Sequence, residues 1–172
     1  MRIFHKKDGG IIQLIDKDKM EEWPVELPLI FIEYIKDKQL DNYEDASVKK
    51  EVSAYLDEIL KDVAVPRLIS VLEGEDEEET ITALERIKEI SKKDVETARP
   101  IKPYLENLSK SKNKSIVKIS NDISNDFTKA DRRKELAKKR KIMQDKEKEF
   151  MAGKISGEDY AKARKDYLSL KD

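Results

Sequence analysis

The chain of 172 residues contains no cysteine and only one histidine, His5. Without cysteine it cannot form a disulfide bond, bind zinc through thiolates or use a cysteine nucleophile. One histidine cannot build a multi-histidine zinc site, and a lone histidine in a short β-leaning run is typical of a structural or solvated side chain. We therefore expect no metal ion.

Glycine and proline are also scarce, at five residues each, which argues against an all-β protein with many tight turns. No phosphate-binding or dinucleotide-binding glycine motif is present, and no serine lies in a nucleophile elbow. We therefore expect no enzymatic activity, no cofactor and no small-molecule substrate. No apolar stretch approaches the roughly 20 residues of a membrane span, and no signal peptide is evident. These absences predict a cytoplasmic protein without a membrane span.

Charged residues are abundant instead, at 42% of the chain against 38% apolar residues. Lysine, glutamate, leucine and alanine are good helix formers, so this composition predicts an all-α protein with a lean core. The charge is divided unevenly. Residues 128–172 carry 15 Lys or Arg against 9 Asp or Glu, and by subtraction residues 1–127 carry 21 against 28. An acidic body is followed by a basic tail.

Residues 1–24 predict a small β-hairpin. Two short β-leaning runs flank Asp8-Gly9, a pair that is typical of a primed two-residue turn because glycine readily adopts positive φ. A two-stranded hairpin is marginal in water on its own, so we expect it to pack on the helical part or on a partner.

Residues 25–127 show helical periodicity and three prolines, Pro28, Pro66 and Pro103, which lie 38 and 37 residues apart. Each proline precedes an apolar helical segment that is followed by an amphipathic one, and a proline in the first turn is typical of a helix start. One segment is too apolar all round for a surface helix, and we expect it to be central to the core. Its apolar residues are Leu29, Ile30, Phe31, Ile32, Tyr34 and Ile35. In the second pair we expect four inward residues: Leu68, Val71, Leu84 and Ile87.

This recurring unit resembles the HEAT and armadillo repeats over residues 25–127. The loops differ in length, and the consensus Asp and Arg positions of a HEAT unit are missing. The resemblance implies a short right-handed stack of antiparallel helix pairs that presents one face to a protein partner. The alternative is a nonrepetitive six-helix domain whose prolines only mark helix starts.

Residues 128–172 predict a helical hairpin that turns at Gly153 and restarts with a capping box at Ser156–Asp159. The run from Phe150 to Tyr160 is similar to the short C-terminal (SHOCT-like) helical hairpins. That similarity implies a role in association. Apolar residues form narrow stripes on both helices, which suit one partner helix. The predicted partner-binding residues are Leu136, Met143, Phe150, Tyr160, Tyr167 and Leu170.

Two charged runs leave alternatives open. Glu73–Glu79 could hold a divalent cation, although carboxylates at a helix N-terminus are favourable in themselves. The basic run 129–141 could solvate an exposed helix, contact the acidic body, or bind an anionic membrane or nucleic acid without base stacking. Its candidate anion-binding residues are Arg132, Arg133, Lys134, Lys138, Lys139, Arg140 and Lys141.

The sequence therefore favours a noncatalytic adaptor or scaffold subunit that binds a protein partner or a second copy of itself. The alternative function is that of a nucleic-acid-associated or ribosome-associated factor that uses the basic run.

Overall fold

The structure, a computed structural model, describes residues 1–171. It is 76% helical with one small antiparallel hairpin, which confirms the predicted all-α class with an N-terminal β-hairpin. The elements are β1 (Arg2–His5), β2 (Ile11–Leu14), α1 (Leu27–Tyr34), α2 (Ala46–Ile59), α3 (Val65–Leu72), α4 (Glu77–Lys93), α5 (Val95–Ala98), α6 (Lys102–Leu108), α7 (Lys114–Met151) and α8 (Gly157–Lys171). Short 3₁₀ segments lie at Lys17–Met20, Leu40–Asn42 and Arg99–Ile101, and π-helical segments at Ile35–Gln39 and Leu60–Ala64.

Two compact units divide the chain, one of residues 1–123 and a second that begins at Ser124. The division falls inside α7, close to the change of composition after Phe127. The three segments predicted from the sequence, 1–24, 25–127 and 128–172, remain a prediction.

The hairpin forms where predicted, but its turn is of another type. Phe4 pairs with Ile12 and His5 with Ile11. The N–H of Gly9 donates to the carbonyl of Lys6, and φ is +84° at Gly9 alone among the turn residues. A primed turn needs positive φ at its first central residue as well. The loop is therefore a turn with a glycine bulge, which is one residue longer than the predicted turn.

The inner face of the hairpin packs onto α2. Phe4 is buried, and its ring centroid lies 5.8 Å from that of Tyr55. The Tyr55 hydroxyl donates to the carbonyl of Ile15 at 2.8 Å and accepts from the N–H of Lys17 at 2.7 Å. Asp45 is the N-cap of α2, and its side chain accepts from the N–H of Ser47. Of the two supports expected for the hairpin, the structure shows the first, packing on the helical part.

A second anchor fixes the segment between β2 and α1. The guanidinium of Arg67 on α3 donates to the main-chain carbonyls of Met20, Glu21 and Trp23. Met20 itself is fully buried. The 3₁₀ segment ends here, so these carbonyls have no partners in a helix or sheet. The Arg67 guanidinium supplies the hydrogen bonds instead.

Pro66 does not begin a separate helix, contrary to the prediction. Backbone angles are helical through Leu60, Ala64 and Val65, so α2, the π-helical segment and α3 form one uninterrupted run. Proline has no N–H to bond the preceding turn, and its ring crowds that turn. The wider π-helical turn directly before it accommodates both effects. Sequence alone cannot distinguish this from a helix start.

The core of the first unit lies where α2, α3 and α4 meet. Leu68, Leu84 and Ile87 are buried as predicted, whereas Val71 is only half-buried. The inner face of α2 is buried throughout: Val48, Val52, Tyr55, Leu56 and Ile59. Towards the end of this unit the buried side chains are Ile101, Leu105, Ile116, Ile119 and Ile123.

α1 is not buried all round, and this corrects the prediction for its segment. Leu29, Ile32 and Ile35 are buried, but Ile30 is 48% and Tyr34 is 54% exposed. A helix packed against one layer of neighbours can bury only the stripe that faces them. The opposite stripe of α1 stays in solvent although its residues are apolar.

In the second unit, α7 and α8 are joined by a short connection. α7 ends at Met151, and Gly153 adopts φ +67° while the N–H of Lys154 donates to the carbonyl of Glu149. The N–H of Asp159 donates to the Ser156 hydroxyl, and the N–H of Ser156 donates to the Asp159 carboxylate. The helix stop and the capping box are both confirmed.

Candidate interaction surfaces

The predicted partner-binding residues lie mainly on the facing sides of α7 and α8. Half-buried positions recur every three or four residues on both helices, as expected where two helices pack. They include five of the six predicted residues: Leu136, Met143, Tyr160, Tyr167 and Leu170. The sixth, Phe150, is 40% exposed. Whether these side chains also bind a partner stays a prediction.

Specific contacts join the two helices. The rings of Phe150 and Tyr160 stack with centroids 5.7 Å apart. Lys139 forms an ion pair with Asp166 at 3.6 Å, and Arg132 donates to the carbonyl of Leu170 at 3.3 Å. These surface contacts are worth little individually, because solvent screens them.

The helical hairpin nevertheless lacks a core of its own. Not one side chain among residues 128–170 is fully buried, whereas α2 alone has five that are. Apolar side chains of the hairpin are also partly exposed to solvent. Ile142 on α7 is 41% exposed and Leu168 on α8 is 43% exposed. Two helices with this little shared surface are marginal by themselves and gain stability when they bury their apolar residues against something else.

Electrostatics at the start of α8 stabilise the local turn. The Ser156 hydroxyl donates to the Asp159 carboxylate at 2.8 Å, which holds the pKa of Asp159 below its usual value. On α7, a hydrogen bond to Glu149 raises the pKa of Lys146. Both shifts come from capping or ion pairing, so they point to local structure and not to a proton-transfer site.

The basic run lies on the first half of this hairpin. Two of its predicted residues have partners within the hairpin, Lys139 and Arg132. The side chains of Arg133, Lys138, Arg140 and Lys141 are exposed, and so is that of Lys134. These positions fall on several sides of the helix, so the positive charges surround it and do not form a single stripe.

The acidic run before α4 is divided among structural roles. The Asp76 carboxylate caps α4 by accepting from the N–H groups of Glu78 and Glu79. Glu73 accepts from the Tyr104 hydroxyl, and Glu77 accepts from the Asn113 amide. Among residues 1–171, no group of three or more metal-ligating side chains has the geometry to hold an ion. The capping interpretation is the one that these contacts support.

Among the clefts of the first unit, one has a volume of about 340 Å³. Its floor is apolar, with Leu29, Ile32, Leu60 and Ile90, and charged side chains line its rim. Lys36 pairs with Asp57 at 3.0 Å. A hydrogen bond from the Thr97 hydroxyl lowers the pKa of Asp94 at the rim. These charged groups are engaged in an ion pair and in a helix cap, and the expectation of no enzymatic activity stays a prediction.

The sequence prediction missed a surface on α1. Leu27, Ile30 and Tyr34, spaced i, i+3 and i+7, share one exposed stripe that also includes half-buried Phe31. We call these four residues the α1 stripe. The ring of Trp23 meets that of Phe31 edge-on at 5.8 Å. The available signal was the all-round apolar character of the segment, which the sequence prediction assigned to burial.

Carboxylates line one edge of the α1 stripe. Glu26 and Glu33 are seven residues apart and therefore lie on the same side of the helix, and Asp37 follows one turn later in the π-helical segment. We call these three residues the acidic edge. None of them has an ion-pair partner among the residues that the structure describes.

No family model matches the chain, and neither a curated protein nor a solved structure is significantly similar to it. The resemblances to HEAT repeats and to SHOCT-like hairpins therefore stay predictions. Within residues 1–171, the helices are all too short or too polar to cross a membrane.

Proposed function

We propose that the protein is a noncatalytic adaptor that associates, through its C-terminal helical hairpin, with a protein partner or a second copy of itself. The observation that carries this proposal is the absence of any fully buried side chain among residues 128–170, combined with exposed Ile142 and Leu168. A helix pair that is marginal alone gains stability when it docks.

The first unit supports this proposal because it has what a scaffold requires. Its core is continuous from Phe4 to Ile123, and its polar clusters have local roles in capping helices and tying loops. A first unit with a buried core, followed by a helical hairpin without one, is the arrangement expected of a chain that uses the hairpin for binding.

The exposed arginines and lysines of α7 support a second candidate function, association with nucleic acid. Arg133, Lys138, Arg140 and Lys141 could neutralise phosphates, and such binding would weaken linearly with the logarithm of salt concentration. A filter-binding titration at several salt concentrations tests this candidate. The alternative fails if no salt-dependent binding to RNA or DNA is found.

The experiment for the main proposal uses Ile142 and Leu168, two exposed apolar residues that the hairpin offers to a partner. A double variant, Ile142→Glu with Leu168→Glu, is compared with the wild type by sedimentation velocity and by affinity capture from an extract of the source cells. We expect the complex, homomeric or heteromeric, to be lost in the variant.

The matched control is Ile11→Glu, which places the same charge on an isoleucine of the first unit that is 51% exposed. This control should behave as the wild type does. Unchanged association of the double variant would contradict the proposed role of the hairpin.

A further inference from the structure

We infer that the α1 stripe and its acidic edge form a second docking surface, and that its occupant is a basic amphipathic helix of another protein. This inference deepens the proposed function, since an adaptor must hold a second component. It rests on residues of the first unit, whereas the proposed function rests on the helical hairpin.

Local folding does not require the apolar character of this stripe. Leu29, Ile32 and Ile35 already supply the buried face of α1, so Leu27, Ile30 and Tyr34 add nothing to that core. Three large apolar side chains in adjacent helical turns form a contiguous exposed patch. Such patches mark interaction sites more often than scattered single residues do.

The spacing of the stripe indicates the shape of its partner. A stripe with apolar residues at i, i+3 and i+7 matches another helix laid along it, in the way that helices recognise amphipathic helices. α1 is short, so the contact would span about two turns. Trp23, whose ring contacts that of Phe31, extends the patch with aromatic surface, which is enriched at the centre of protein interfaces.

The acidic edge indicates the charge of the partner. Glu33 and Asp37 lie in the interior of the helical run Leu27–Asn42, away from the first turn, where the helix dipole would favour negative charge. Their position is thus not explained by local helix stability. A partner helix with lysine or arginine beside its apolar stripe would pair with these carboxylates. Carboxylates also repel an anionic bilayer, which disfavours a lipid surface as the occupant.

The test uses two synthetic helical peptides of equal length with leucine at i, i+3, i+4 and i+7. Lysine fills the flanking positions of one and glutamate those of the other. Binding to the full chain is followed by the fluorescence of Trp23, the only tryptophan. We expect the lysine peptide to bind, the glutamate peptide to bind at least about tenfold more weakly, and added salt to reduce the difference.

Two variants and their controls locate the surface. Ile30→Glu should weaken the binding of the lysine peptide about tenfold or more. Ile11→Glu, at a similarly exposed isoleucine, should leave this binding unchanged. Glu33→Lys with Asp37→Lys should reverse the preference between the peptides. Glu78→Lys with Glu85→Lys changes the net charge equally on α4 and should leave the preference as in the wild type.

Three results would overturn the inference: no binding of the lysine peptide, equal binding of both peptides, or equal losses in Ile30→Glu and Ile11→Glu. A fourth such result could come from flotation of the protein with phosphatidylcholine–phosphatidylserine vesicles. Vesicle binding that depends on Ile30, without peptide binding, would replace the helix by a lipid surface. Each of these results leaves the hairpin-dependent association untouched, because that is measured with Ile142 and Leu168 and without peptide.

Discussion

The hydroxyl of Tyr55 donates a 2.8 Å hydrogen bond to the carbonyl of Ile15, 40 residues earlier in the chain. The same oxygen accepts from the N–H of Lys17 at 2.7 Å. Burial raises the pKa of this phenol, so it stays protonated and able to donate well above neutral pH. One side chain thus ties the segment that follows the β-hairpin to α2.

Removal of this hydroxyl should destabilise the first unit. In Tyr55→Phe, the Ile15 carbonyl and the Lys17 N–H lose their partner, and we expect a loss of about 1–3 kcal/mol in the free energy of unfolding. Urea titration followed by far-ultraviolet circular dichroism measures it. The control is Tyr43→Phe, because the Tyr43 hydroxyl makes no hydrogen bond within the described residues. Equal effects of the two substitutions would contradict the role of Tyr55.

The packing of α3 on α4 is tested by Leu84→Ala. Leu84 is fully buried, so truncation leaves a cavity, and we expect a loss of about 2–5 kcal/mol. Ile81→Ala on the same helix removes a half-buried side chain and should cost clearly less. A loss below about 0.5 kcal/mol for Leu84→Ala would mean that the helices do not pack as described.

Much of this core could be predicted from sequence, because the α-helical period alone places Val52, Leu56 and Ile59 on one face of α2. The capping residues Asp45, Asp76 and Ser156 can also be predicted from sequence, because a helix cap depends on neighbouring residues alone. The hairpin turn was harder, because a glycine with positive φ fits two turn types that differ by one residue.

The predictions that the structure corrects concern features that depend on tertiary structure. Pro66 is compatible with a helix start and with a helix interior after a π-helical turn, and only the residues packed around it decide between them. For α1, the apolar character on all sides does not reveal which side of the helix packs against neighbouring elements. Sequence alone therefore places Ile30 and Tyr34 in the core. Five of the six predicted partner-binding residues lie where α7 and α8 pack on each other, and sequence alone could not tell that the hairpin covers them itself.

Asp94 should make stability sensitive to acid. Hydrogen bonds from Thr97 and Glu96 lower its pKa in the folded state below the value of about 3.9 expected of an unfolded chain. The stabilisation is therefore complete above about pH 4 and is lost as the pH falls through the lowered folded-state pKa. Asp94→Asn keeps a helix-capping acceptor but cannot titrate. We expect it to lose less stability than the wild type between pH 5 and pH 2, as measured by thermal melts. Equal acid sensitivity would contradict this assignment.

The lack of buried side chains in the helical hairpin predicts weak protection of its backbone. Amides of α8 should exchange with solvent at least about tenfold faster than those in the middle of α4, where Leu84 and Ile87 are fully buried. Hydrogen exchange followed by mass spectrometry, at a protein concentration low enough to suppress association, provides the comparison. Addition of a partner, or a higher concentration if the chain associates with itself, should then slow exchange in α8. Protection of α8 equal to that of α4 under dilute conditions would contradict the marginal stability inferred here.

The most direct test of the central claim is truncation after Phe127, which removes most of the helical hairpin and keeps the buried residues Ile116, Ile119 and Ile123 of α7. Differential scanning calorimetry and light scattering are applied to the truncated and full-length chains, together with affinity capture. We predict a cooperative melt for residues 1–127 and the loss of the partner or of self-association. An unfolded truncated chain, or one that still forms the complex, would contradict the claim that the body folds alone and the hairpin carries the association.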